Sequence, residues 1–103
     1  MAFYVYENWQ AGRSNMPNIE AVWARIQEHE SEEFHQIRGK AFHYGMFGGS
    51  IALSTTNQQI AKSDFEKALE RVPLRNTVPV QDLRGPSYIY AILMDKRIRQ
   101  NDW

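Results

Sequence analysis

The sequence predicts an α+β domain, a small antiparallel sheet of about three strands with about three helices packed on it. Three observations predict it. A period-two run broken by Gly48-Gly49 reads as a β-hairpin. Two stretches carry apolar residues at helical spacing, one beginning at Ile19 and one at Phe65. A last segment, apolar nearly all round, opens on Gly85-Pro86. The expected order is strand, helix, hairpin, capped helix, apolar helix.

Taken in order, Phe3, Tyr4, Val5 and Tyr6 are strand formers and are expected to add a third strand to the hairpin. Residues 11–17 are turn-rich. Asn18 is the expected N-cap of the next helix, whose stripe is Ile19, Val22, Trp23 and Ile26. The stripe lapses through residues 27–31 and resumes at Phe34 and Ile37, which predicts a kink near Ser31 or a change of packing. Gly39 is expected to close this helix at C′, with Arg38 in its last turn.

In the hairpin, Phe42, Tyr44 and Met46 share one face, and Ile51 and Leu53 alternate in the second strand. The glycine pair supplies the positive φ angles of a two-residue turn. The following helix carries Phe65, Ala68, Leu69 and Val72 on one stripe. Ser63 and Glu66 match a capping box, and Pro73 marks the stop. Residues 79–84 suit one short helical turn. Pro86 suits a first helical position, and residues 87–98 are read as helix rather than strand. Either deep burial of that helix is expected, or burial on two sides by a core and a partner. The terminal Trp103 is expected to be pinned against this chain or a neighbour.

A chain of 103 residues is read as one domain, residues 1–103. An apolar share of 43% against 23% charged argues for a packed core rather than disorder. There is no cysteine, which excludes disulfides, iron–sulfur clusters, zinc–thiolate sites and a cysteine nucleophile. The opening residues lack the basic start and apolar run of a signal peptide, and the longest apolar run, residues 88–94, is far short of a membrane span. The expectation is a cytoplasmic protein without a membrane partner.

Net charge is zero, but the charge is uneven. Residues 18–39 hold Glu20, Glu28, Glu30, Glu32 and Glu33 against Arg25 and Arg38. Residues 71–103 hold Arg71, Arg75, Arg84, Lys96, Arg97 and Arg99 against Asp82, Asp95 and Asp102. The two halves either pair, within or between subunits, or leave a basic patch for a polyanion.

No motif requires catalysis. His29 and Glu33 are four apart, but the next histidine, His35, falls off that spacing, so the paired-ligand helix geometry of a metal site fails. His43 is expected on the sheet surface. Ser54, Thr55 and Thr56 form no G-x-S-x-G elbow, and no phosphate loop is present. The carboxylates are patterned as an exposed face, without an apolar pocket to raise a general acid. No metal, no cofactor and no catalytic residue is expected.

Aromatic residues make up 13% of the chain, above the common level, so pocket lining is weighed against core filling. Trp9, Trp23, Tyr44, Tyr88 and Tyr90, with Arg84 and Arg97 and the terminal Trp103, are the candidate ligand or interface residues, since Tyr, Trp and Arg dominate binding hot spots.

The opening YVYENW, residues 4–9, is similar to the start of some small bacterial proteins of unknown function, without the Cys/His stretch that follows in them. STTNQQIAKSDFEKAL, residues 54–69, together with RGPSYIYAIL, residues 84–93, resembles uncharacterised bacterial proteins carried on mobile elements, such as integron gene cassettes. The resemblance covers under a third of the chain and implies neither an activity nor a site.

The first expectation for function is a non-enzymatic interaction or small-ligand-binding module acting as a homodimer. The second is a nucleic-acid-associated accessory protein using its basic C-terminal segment. The third is a small hydrolase or transferase.

Overall fold

The computed structural model describes residues 18–103. The strand expected at residues 3–6 lies outside them. The described elements are helix α1 (Ile19–Glu28), strands β1 (Phe34–His35), β2 (Ala41–Phe42), β3 (Tyr44–Phe47), β4 (Ser50–Leu53) and β5 (Gln59–Ala61), and helices α2 (Lys62–Leu69), α3 (Pro86–Leu93) and α4 (Lys96–Arg99). A 3-10 turn, Val78–Val80, precedes α3. The α+β class is as expected, with two small antiparallel sheets, β1-β2 and β3-β4-β5.

The central hairpin forms as its period predicts. Phe47 pairs with Ser50 across Gly48-Gly49, and only Gly48 of the pair takes positive φ, 60°. The register puts Tyr44, Met46, Ile51, Leu53 and Ile60 on one face of the β3-β4-β5 sheet, the face that meets the core. Helix α1 lays Val22, Trp23 and Ile26 into the same core, and α2 adds Phe65, Ala68 and Leu69. The Trp23 and Phe65 rings meet at 5.8 Å and join the two helices.

Four expectations need correction. The helix begun at Asn18 does not kink near Ser31 and continue to residue 39; it ends at Glu28. Ser31 turns left-handed, φ 71°, and its N–H bonds the Tyr44 carbonyl at 2.9 Å. Phe34 and Ile37 therefore belong to a second hairpin, in which Phe34 faces Phe42 and Gly39, φ 92°, closes the loop rather than a helix. Burying Phe34 against Phe42 and Tyr44 wins over one more helical turn through a run of glutamates.

The capping box does not form. A third strand, β5, runs straight into α2, so the N-cap is Ala61 and has no side-chain cap. Ser63 falls inside the helix, and the Lys62 N–H is satisfied by the Gly49 carbonyl at 3.0 Å. Helix α2 stops at Leu69, short of Val72, and the Val72–Pro73 peptide is cis. The last helix is two: α3 ends at Leu93, and Asp95 caps α4 by accepting from the Arg97 N–H at 2.9 Å.

Asn18 caps α1 as expected, accepting from the Ala21 N–H at 3.0 Å. Helix α3 is a helix, begun by Gly85 at φ 62° and Pro86. Its Ile89, Ala91, Ile92 and Leu93 are buried, and Tyr88, Tyr90 and Met94 are half-buried against the same core. No helix among the described residues is long and apolar enough to cross a membrane.

Candidate functional site

The two sheets meet at the single residue between β2 and β3, His43. Its neighbours Phe42 and Tyr44 turn inward, so its side chain is left at the surface. Beside it, the Ser54 hydroxyl oxygen accepts the His43 backbone N–H at 3.0 Å, and the Ser54 N–H bonds the His43 carbonyl at 3.0 Å. Across from this pair lies the loop leaving α1. Together they bound a cleft of about 230 Å³ lined by Ser31, Glu33, Ala41, Phe42, His43 and Ser54. Its rim offers two hydroxyls, an imidazole and a carboxylate, so it can both donate and accept hydrogen bonds.

Beneath the cleft runs a chain of rings. Phe34 lies 6.0 Å from Phe42 and 5.4 Å from Tyr44, and the Tyr88 ring meets Phe42 edge-on at 4.9 Å. The Tyr88 hydroxyl bonds Thr55 Oγ1 at 2.8 Å, which ties α3 to the strand end carrying Ser54. At the other end, the Arg97 guanidinium stands 3.9 Å from the Phe34 ring centroid. It donates to Asp95 at 2.8 Å, to Glu32 at 3.0 Å and to the Glu33 carbonyl at 2.8 Å. That last bond fixes the backbone of Glu33, which lines the cleft.

Electrostatics follow from these contacts. The His29 Nδ1 and Arg97 beside Glu32 hold its carboxyl below the usual range. Burial pushes the Asp95 carboxyl up, and the Arg97 side chain and backbone bonds outweigh it, so Asp95 also sits low. Burial pushes the Tyr44 phenol well above its ordinary value; its hydroxyl donates to the Ile26 carbonyl at 2.6 Å. Glu33 faces His35 at 3.1 Å.

The eight residues named from the sequence do not form one pocket. Trp9 lies outside the described residues. Trp23 and Tyr44 are core side chains, with Tyr44 wholly buried. Tyr90 is half-buried on the far turn of α3. Arg84 is exposed before Gly85 and has no ion-pair partner among the described residues. Trp103 is pinned within the chain, its Nε1–H donating to the Leu93 carbonyl at 2.8 Å. Tyr44, Tyr88 and Arg97 are brought together, through Phe34 and Phe42. Sequence reasoning missed the cleft residues themselves. The lapse of the helical stripe after Ile26 was the available signal, because a helix ending there frees Ser31 and Glu33 to face the hairpin.

Among the described residues no three His, Asp or Glu side chains are grouped as around a metal ion. Comparison with protein-family models, with curated proteins and with solved structures gives no match.

Proposed function

We propose that the chain is a non-enzymatic binding module, and that a small polar ligand sits in the cleft between the two sheets. The observation that carries this reading is Ser31. A non-glycine residue at φ 71° costs about 1 kcal/mol or more, and such residues gather at ligand sites when the surroundings hold them in place. Here the Tyr44 carbonyl holds the Ser31 backbone, and Ser31 lines the cleft. The ring chain below, closed at one end by Arg97 and at the other by Thr55, keeps the floor rigid, which limits the ordering cost of binding.

The hydrolase reading is favoured by Ser54 and His43 sharing the cleft. It is opposed by their contact, which runs from the Ser54 hydroxyl to the His43 backbone rather than to its ring. The nucleic-acid reading, which uses the segment from Arg84 to Arg99, is opposed by Arg97, whose guanidinium is taken by Asp95 and Glu32. Self-association through α3 is not favoured, because this chain covers the apolar surround of that helix largely by itself. A homodimer would use another face. A cytoplasmic setting fits a chain without cysteine. The likeness to integron cassette proteins brings no activity with it.

The test is a small polar fragment set followed by amide NMR. Fragments that bind here shift Ser31, His43 and Ser54, and Glu33→Gln with Ser54→Ala weakens them by about tenfold. Fragment shifts confined to other surfaces, or none, would reject the cleft. Light scattering across a concentration series reads the oligomeric state separately.

A further inference from the structure

We infer that the ligand of the cleft is a short extended peptide with a basic side chain, which adds to the open edge of β2. The inference rests on the cleft reading above and names its ligand class.

Strands β2 and β3 form one extended run, Ala41 to Phe47, with only His43 between them. Backbone groups along such a run point alternately to its two sides. On one side Phe42 pairs with Phe34 of β1. On that side too the Tyr44 carbonyl takes the Ser31 N–H at 2.9 Å, and the Met46 N–H donates to the Glu30 carboxylate at 2.8 Å. On the other side the His43 carbonyl takes the Ser54 N–H at 3.0 Å, and Gly45 pairs with Ala52.

Ala41 belongs to the second side. The Gln36 N–H bonds the Lys40 carbonyl at 2.9 Å, so Gln36 with Lys40, and Phe34 with Phe42, are the bonded pairs of the small hairpin. His35 and Ala41 stand between them as a non-bonded pair, and the Ala41 N–H and C=O turn away from β1. The β3-β4 register, carried on, would set Thr56 opposite Ala41. Strand β4 stops short of that, at Leu53, whose N–H bonds the Gln58 carbonyl at 3.4 Å as the chain turns toward β5. Ala41 is exposed and lines the cleft, and no described residue bonds its outward N–H or C=O.

A strand edge with its N–H and C=O facing out is a template for another extended backbone. One residue of a peptide running antiparallel to β2 would exchange both bonds with Ala41, along the line that β4 leaves. The cleft, about 230 Å³, takes a short segment rather than a long strand. Its lining carries one formal charge, Glu33, and neither lysine nor arginine, so charge complementarity selects a basic side chain over an acidic one.

The experiment is amide NMR of the full chain with acetyl-Ala-Lys-Ala-amide, the same peptide with an ester oxygen in place of the lysine N–H, and acetyl-Ala-Glu-Ala-amide. The first should shift the amides of Ala41, His43 and Ser54. The ester lacks the donor that the Ala41 carbonyl would accept and should bind about tenfold more weakly, and the glutamyl peptide should lose as much. Ala41→Pro removes the outward N–H at an edge position where proline is tolerated, and should weaken the lysyl peptide about tenfold. Thermal unfolding checks that this variant folds, and the ester peptide tests the same bonding on the unaltered chain. Equal binding of the ester or of the glutamyl peptide, or undiminished binding by folded Ala41→Pro, would overturn the inference. Polar fragments that bind the cleft where no peptide does would overturn it alone; if neither binds there, the cleft reading beneath it falls as well. Ala41 shifts that follow protein concentration without any peptide would also overturn it, because a second copy would then hold the edge.

Discussion

The Arg97 side chain sits between a ring face and three oxygen-bearing partners, on Asp95, Glu32 and Glu33. A lysine keeps the charge but not the fork, and an alanine keeps neither. Arg97→Ala is therefore expected to destabilise the fold by about 2 kcal/mol and Arg97→Lys by about 1 kcal/mol, after allowance for partial solvent screening. Urea midpoints at neutral pH measure both. Tyr44 is the contrasting residue. Its ring is core and its hydroxyl serves the Ile26 carbonyl, so Tyr44→Phe should cost about 1 kcal/mol. Neither role is legible in the sequence, which shows a tyrosine in an alternating strand and an arginine in a basic tail. Burial of the one and pairing of the other depend on β1, an element that the glutamate-rich stretch disguises as helix.

At the scale of elements, caps and turns separate what local rules govern from what they do not. Asn18 makes its cap bond, and Asn18→Ala should lower stability by about 1 kcal/mol. Ser63 makes none, and Ser63→Ala should be close to neutral although its S-x-x-E pattern promises a cap. Thermal unfolding of the pair decides it. Glycines divide in a similar way. Gly48 has open space around its missing Cβ, so Gly48→Ala meets only the cost of left-handed backbone, about 1 kcal/mol. At Gly85 an added Cβ falls 2.8 Å from Ile60 Cδ1, and Ile60 is wholly buried and has little room to give. Gly85→Ala should exceed Gly48→Ala by about 1 kcal/mol or more in urea unfolding. The hairpin, the Pro86 helix start and the α2 stripe were readable because their signals are local and strong. Strand β5 was not, since three residues between a threonine-rich loop and a helix carry almost no period of their own. It exists because β4 has an edge to pair.

At the scale of the molecule, charge joins distant parts of the chain. Glu32 and Asp95, drawn to one guanidinium, both sit below their ordinary values of 4.5 and 3.8. The folded chain then binds fewer protons than the unfolded one in this range. Their stabilising contribution is complete above those ordinary values and is lost as pH falls through the lowered folded ones. Between about pH 5 and about pH 2, the wild type should lose more stability than Arg97→Gln, as urea midpoints across that range would show. The acidic and basic halves noticed in the composition thus meet in part inside one chain, at Glu32 and Arg97. They do not meet wholesale, because Arg25 of the first half takes Asp102 of the second. By itself the sequence determined the α+β class, the central hairpin and the apolar α3, each written in neighbours a few residues apart; that Trp103 is pinned within this chain is a finding of the structure. Only the tertiary structure decided where α1 stops, which rings lie under the cleft, and which carboxylates Arg97 takes. Those outcomes depend on partners dozens of residues away, and pairing across such distances leaves no period in the chain.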